Sequence, residues 1–412
     1  MTRRVAITGL GLVSPQGETP EQAFDAWCQG HSAITLCEVG EAPHVAAVPM
    51  ARCAGFDPVP LLGRPRSMAM DRVSQMSTVA ALQAWACAGL DGLSAGAREQ
   101  AGVFWGTACG GSHTTERSYR DLFIQQRSRI SPLTVTQAMH NAAASHVAMT
   151  LGLGAVCLSY AVACASSAVA IGEAWRRIRS GEMDLAVAGG GEASVPYGPL
   201  KAWQSLQVLA PVGEPPAHAC KPFDARRRGL VFGEGAAALV LEDWDHARAR
   251  GVPILAELAS EGSSSDHQHL TAPDAAGQVR ALRQALQRAG LRPQDIDCIN
   301  AHGTATLEGD ATEVRSLREV LGDAAAGVRI SSTKSMHGHL LGAAGAMEAL
   351  ATVLTLVQQR VPPTAGLSEL DPACAGLHHV QGSAQAGRVR AALSNSFAFG
   401  GSNVVLAFKA AA

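Results

Sequence analysis

Aromatic residues make up only 4% of this 412-residue chain and charged residues only 17%, and the two signs nearly cancel to a formal net charge of −2. So balanced and sparse a charge excludes a surface built from basic runs, and nothing in the sequence supports nucleic-acid binding. Long disordered tracts are excluded too, because hydrophobic residues reach 47%. The ten cysteines, at positions 28, 37, 53, 87, 109, 157, 164, 220, 298 and 374, show no CxxC spacing. That removes the usual zinc frameworks, so no metal is expected and a reduced, cytoplasmic protein is. No export signal is expected either: the apolar start, residues 5–13, runs straight into turn residues and reads as a first strand. No apolar run reads as reaching the ~18 to 20 residues that cross a bilayer, and no membrane partner is expected.

What is abundant is small. Forty-three glycines beside so few aromatics suggest close-packed central helices and a wide subunit interface. Strand and helix signals alternate twice along the chain. In the first half they predict strands over 5–13, 102–106, 158–163, 184–188 and 235–242 and helices over 19–30, 71–89 and 137–151. A Pro-rich stretch, 43–66, reads as an irregular surface segment. The second half predicts strands over 254–259, 296–300, 327–331, 390–395 and 403–408, with helices over 275–289 and 342–359. This is an α/β pattern with an internal pseudo-duplication, divided into residues 1–250 and 251–412 without a flexible linker. Gly9 and Gly11 invite a dinucleotide reading, but Ser14 and Pro15 stand where the third glycine and the helix start belong.

Chemistry concentrates at four places where reactive or polar groups follow a strand beside small residues. Cys164 sits between an apolar strand and the helix-opening residues Ala165, Ser166, Ser167 and Ala168. A thiol at a helix N-terminus meets the partial positive charge of unpaired N–H groups, which lowers its pKa. A cysteine among Ala and Val is equally a small buried hydrophobe, and this stretch alone leaves both readings open. His302 lies in NAHGTATLEGDATE (300–313), and Lys334 and His339 lie in STKSMHGHLLGAAG (332–345). A lone loop histidine more often serves as a structural hydrogen-bonder. Lys334, in a largely uncharged stretch, needs an acidic partner, and Glu313 or Asp310 is nearest by motif. The fourth place, NSFAFGGSN (395–403), offers backbone amides on a Gly-rich turn. One thiol and two neutral imidazoles divide the work of acyl transfer: the sulfur carries the acyl group, and the rings stabilise an enolate or take a proton.

Together VACASS around Cys164, AHGTATLEGDATE, STKSMHGHLLGAAGAMEAL and SNSFAFGGSN resemble the four signatures of the β-ketoacyl-acyl-carrier-protein synthases, of the elongating KAS I/II class, and the resemblance runs the whole length of the chain. It implies a thiolase-like fold, two related α/β halves in a five-layer α-β-α-β-α arrangement. It further implies a decarboxylative Claisen condensation that lengthens an acyl chain by two carbons. By position Cys164 is the acyl-accepting nucleophile, and His302 and His339 stabilise the enolate of the malonyl thioester. The amides of Cys164 and Phe399 form the oxyanion hole, with the Phe399 ring as a gate. Thr304 and Thr306 match contacts to the pantetheine arm, Lys334 and Glu313 a supporting ion pair, and Cys109 the floor of the acyl pocket. Asp266 and His269 carry a structural role. The implied partners are an acyl carrier protein, which brings the 4′-phosphopantetheine so that no bound cofactor is needed, and a second copy of the chain. A chain-length-factor-like subunit in a specialised polyketide or aryl-polyene pathway is the alternative.

The chain departs from the family pattern at several points. His337 stands where KSMTGH is common, Ala398 replaces a glycine before Phe399, Arg228 replaces the aspartate of an RDG stretch, and Gln207 replaces a basic docking residue. Arg64, Arg66, Arg127 and Arg129 remain as docking candidates. Three other classes fit less well. A non-catalytic chain-length factor would lack Cys164, a thiolase would carry a second cysteine in the loop that holds Phe399, and an initiating synthase would use Asn where His339 stands.

Overall fold

The computed structural model describes residues 2–411. In the first half the main strands are β1 (Val5–Val13), β2 (Gly102–Gly106), β3 (Cys157–Tyr160), β4 (Leu185–Glu192) and β5 (Gly235–Asp243). In the second they are β6 (Ala256–Ser265), β7 (Cys298–Asn300), β8 (Arg329–Ser331), β9 (His378–His379), β10 (Ala391–Ala398) and β11 (Ser402–Ala410). They form one sheet system in the order β9-β8-β7-β10-β11-β6-β1-β5-β4-β2-β3. The pseudo-duplication is visible in this order, since β3-β2-β4-β5-β1 and β8-β7-β10-β11-β6 are the same path. Their pairings agree as well: parallel β2–β3, β2–β4, β7–β8 and β7–β10, antiparallel β4–β5, β1–β5, β10–β11 and β6–β11. The halves meet at an antiparallel β1–β6 junction of only two residue pairs, Ala6 with Glu257 and Ile7 with Ala256.

Six helices complete five layers. Helices α1 (Arg72–Cys87) and α2 (Ala142–Leu151) cover one outer face, and α4 (Ala275–Ala289) and α5 (Leu307–Leu321) cover the other. Between the sheets lie α3 (Ser166–Ser180) and α6 (Ala344–Gln358), each touching strands of both halves. Position dictates composition. Helix α6 is buried at every residue from Ala344 to Leu356, so it has no polar face to show. Small residues let it approach α3, and a methyl added at Gly345 would meet the Ala168 Cβ at 2.8 Å. The stretch Leu341–Gln358 is in fact long and apolar enough to cross a membrane, contrary to the sequence reading, but it is the core helix of this fold.

Other expectations needed correction. Residues 43–66 are not an irregular surface segment throughout: His44–Ala51 pairs with Thr35–Glu41 as a hairpin whose Val48 and Met50 are buried. The helix expected over 137–151 breaks, with Thr134–Ala138 separate from α2. Strand β4 continues through its three glycines to Glu192, because they lie flat in a sheet whose faces are crowded. At Gly190 an added Cβ would meet Ser167 Cβ at 2.6 Å.

Candidate active site

Cys164 sits in a tight turn between β3 and α3, held by its neighbours. The preceding Ala163 adopts φ of 43°, a left-handed conformation that costs a residue with a Cβ. Ser166 holds the turn in place, its hydroxyl donating to Ala163 O at 2.6 Å and accepting from Val162 N at 2.9 Å. Sequence reasoning treated Ser166 only as a small residue. The expectation of a low thiol pKa is also corrected: burial pushes Cys164 up to about 12, outweighing the opposite pull of the Lys334 ammonium and the Phe399 N–H.

His302 follows β7 in a loop organised by two carboxylates from α5. Glu313 accepts from His302 N at 2.9 Å and Gly303 N at 2.8 Å, and Asp310 accepts from Thr304 N at 3.0 Å and Ala305 N at 3.1 Å. The Thr304 and Thr306 hydroxyls are 2.9 Å apart. His339 follows β8 and the single helical turn Lys334–His337, and is fixed by its backbone, its N–H donating to Val231 O at 2.7 Å and its carbonyl accepting from Gly233 N at 3.0 Å. The turn between them needs glycine, since Gly338 has φ of +70° and a Cβ there would meet the Phe232 carbonyl oxygen at 2.7 Å.

These loops bring the His302 and His339 rings to 5.5 Å between centroids, edge to face. Both rings are buried, and the Nδ1 of each lacks a hydrogen-bond partner among the described residues. Burial first, and then the Lys334 ammonium, hold both well below the usual imidazole value, so both rings are neutral near pH 7. With Cys164, Thr304, Thr306 and Phe399 they line one cavity of about 300 Å³. The Phe399 ring stacks on Trp203 at 5.8 Å and 16° between planes. Trp203 had no signal in the sequence, because its partner lies almost two hundred residues away. Ala398 is an ordinary strand residue at the end of β10, and the positive φ values fall at Gly400 and Gly401, so the turn tolerates its methyl.

Three site residues lie outside this cavity. Lys334 does not pair with Glu313, nor with Asp310. Its Nζ pairs with Glu348 of α6, both side chains fully buried. Glu313 is occupied by the two loop amides and by Asn395 Nδ2 at 2.9 Å, and Asp310 faces Arg227 at 3.3 Å. A lone carboxylate in the apolar run of α6 was the available signal. Cys109 does not line the cavity; its N–H donates to the buried Glu192 at 3.1 Å, and burial raises its thiol pKa, with the neighbouring Glu192 and Cys164 adding to that. His337 also faces away, against Trp27 at 5.5 Å.

The remaining residues are polar framework and rim. Asp266 lines the cavity but is engaged by Asn403 Nδ2 at 2.6 Å and Asp274 N at 3.1 Å, while His269 is exposed and accepts from Ala272 N at 3.0 Å. Arg228 and Gln207 stand at the rim. Arg64, Arg66 and Arg129 are exposed with no carboxylate partner among the described residues, and Arg127 reaches Asp121 at 3.6 Å.

Five layers built from two matching halves, with a thiol and two neutral imidazoles meeting at the strand ends, define a thiolase-like condensing fold. Comparison with known families makes this specific: the profile described as β-ketoacyl synthase, N-terminal domain, matches residues 2–247, and that of the C-terminal domain matches 255–368. The chain belongs to the β-ketoacyl synthase family, which are acyltransferases. Nodulation protein E of Rhizobium meliloti (strain 1021) is 39% identical over 409 residues, covering 99% of this chain and 100% of that one. The 3-oxoacyl-[acyl-carrier-protein] synthase 2 of Synechocystis is 37% identical over 411 residues, covering 99% and 98%. Among solved structures, the ishigamide ketosynthase/chain length factor superposes with a TM-score of 0.92 at 32% identity, covering all of both chains.

Proposed function

We propose that this chain condenses carrier-bound acyl groups, with Cys164 as nucleophile, in KAS II-like fatty acid synthesis. The observation that carries the reading is the single cavity in which Cys164, two neutral imidazoles and the turn of Phe399 meet. The Cys164 sulfur attacks the acyl thioester of an acyl carrier protein, its proton passing to the departing carrier sulfur. The amides of Cys164 and Phe399 receive the oxyanion, and the carrier thiol leaves protonated. A malonyl thioester then enters past Thr304 and Thr306. Its C–C bond breaks to release carbon dioxide, and the electron pair moves onto the thioester as an enolate held by His302 and His339. The enolate carbon attacks the Cys164 thioester, the C–S bond breaks with its electron pair returning to sulfur, which takes a proton from solvent, and a β-ketoacyl thioester two carbons longer departs. The phosphopantetheine arm comes with the carrier, so the protein itself holds no cofactor. Burial keeps both imidazoles neutral, and Lys334 adds to it from behind the cavity with its charge.

The partner set follows from the surface. Edge strand β3 has an open side, with exposed Leu158 on the strand and exposed Met149 on the adjoining α2, which supports a second copy of the chain as the occupant. The likeness to a ketosynthase/chain length factor favours a second reading, a heterodimer in a specialised polyketide or aryl-polyene pathway. Ten free cysteines suit the reducing cytoplasm.

Intact-mass measurement after incubation with acyl-carrier thioesters tests the chemistry. The wild type should gain one acyl group, and Cys164→Ala should gain none while still decarboxylating malonyl carrier. Acylation of the alanine variant would remove Cys164 from its role.

A further inference from the structure

We infer that His337 is a positioning residue, a hydrogen-bonded bridge that fixes the two histidine loops relative to each other. The inference rests on the enolate-stabilising roles proposed for His302 and His339. His337 is fully buried in the single turn between Lys334 and His339 and does not line the cavity. Its two ring nitrogens have separate partners, Nδ1 with Gly338 O at 2.7 Å and Nε2 with the Thr333 hydroxyl at 3.0 Å.

The partners determine the tautomer. A carbonyl only accepts, so Nδ1 carries the proton and donates to Gly338; Nε2 is then the acceptor, and Thr333 donates to it. The Thr333 oxygen in turn accepts from Asn300 Nδ2 at 3.2 Å. Thr333 Oγ1 also lies 3.5 Å from Asn300 Oδ1, but its one proton goes to the nearer His337 Nε2, so the chain runs from Asn300 through Thr333 and His337 to Gly338. The two ends of this chain are informative. Asn300 closes β7, two residues before His302, and Gly338 immediately precedes His339.

The chain therefore ties together the two places from which the imidazoles project. Nδ1 and Nε2 brace the ring within its own loop, to Gly338 and to Thr333 four residues earlier, and the Thr333–Asn300 hydrogen bond carries that brace across to the other loop. Packing fixes the ring itself: Trp27 contacts it edge to face at 5.5 Å, and the Trp27 indole donates to Gln16 at 2.7 Å. Burial, with Lys334 adding to it, lowers His337 to about 3, which keeps the ring in the neutral tautomer that this pattern requires.

The test separates the two half-reactions. Malonyl-carrier decarboxylation uses both imidazoles, whereas Cys164 acylation uses the thiol and the oxyanion amides. Thr333→Val removes the central hydroxyl with little change of shape, and His337→Ala removes the ring. Each should lower decarboxylation about 10- to 100-fold, the loss that a misplacement on the order of 1 Å brings, with acylation changed less than about twofold. His337→Asn keeps a donor near Nδ1 and should recover part of the loss. The double variant should be no slower than the worse single one, because both cut one chain. Unchanged decarboxylation in folded Thr333→Val, or a parallel fall in both half-reactions, would overturn the inference. His339→Ala is the control: if it decarboxylates at the wild-type rate, the proposed role of that imidazole fails instead.

Discussion

Lys334→Met should cost about 3 to 5 kcal/mol of stability at neutral pH, the range for removing one partner of a buried ion pair. The structure puts this site at the lower end at neutral pH, where the variant's Glu348 holds a proton instead of standing charged, and moves it upward as pH rises. Lys334 and Glu348 are both fully buried, and among the described residues no other donor reaches either carboxylate oxygen of Glu348. Glu348 already sits at about 7, raised by burial against the pull of the Lys334 ammonium. Without that ammonium it rises further and the folded variant keeps its proton to higher pH. The deficit therefore grows as pH rises past about 7, by at most about 1.4 kcal/mol per unit, and levels off in acid, where both folded forms hold the proton. Urea unfolding at fixed protein concentration, repeated on both sides of neutrality, measures it. The decisive comparison is between double variants. Lys334→Met with Glu348→Gln should return to within about 1 to 3 kcal/mol of wild type, leaving only an unpaired buried amide. Lys334→Met with Glu313→Gln should be worse than either single change, because Glu313 holds His302 N, Gly303 N and Asn395. Rescue by the Glu313 change and not by the Glu348 change would refute the pairing and the reasoning built on it.

Two further outcomes follow from the site and the surface. Because His302 and His339 lie well below the usual imidazole value, decarboxylation should hold its rate as pH falls from about 8 to about 6; a rate that halves near pH 6.5 would mean that a normal imidazole is titrating. The same shift means that the unfolded chain binds protons that the folded one does not, so these residues weaken the fold as pH drops below about 6.5. At the open edge of β3, Leu158→Asp should convert the proposed dimer to monomer in light scattering, and an unchanged dimeric mass would move the interface elsewhere.

The sequence by itself determined the reactive groups and their order along the chain. Cys164, His302, His339 and Phe399 each sit where a strand signal ends in small residues, and the cavity contains all four. Local pattern also set helix α4, Ala275–Ala289, and strand β2, Gly102–Gly106, at the expected residues, because amphipathic period and turn chemistry act within one element. Only the tertiary structure decided partners. Lys334 chose Glu348 over the nearer motif carboxylates because α6 crosses behind the cavity, while the amides of the His302 loop had already claimed Glu313. Folding also decided the charge state of Cys164. A helix N-terminus favours the thiolate, but the cost of burying that charge depends on everything packed around it and outweighs the local field. Periodicity reports which face a residue occupies; which side chain meets it from across the fold is set by the packing of layers, and the ion pair, the Trp203–Phe399 stack and the His337 bridge were all decided there.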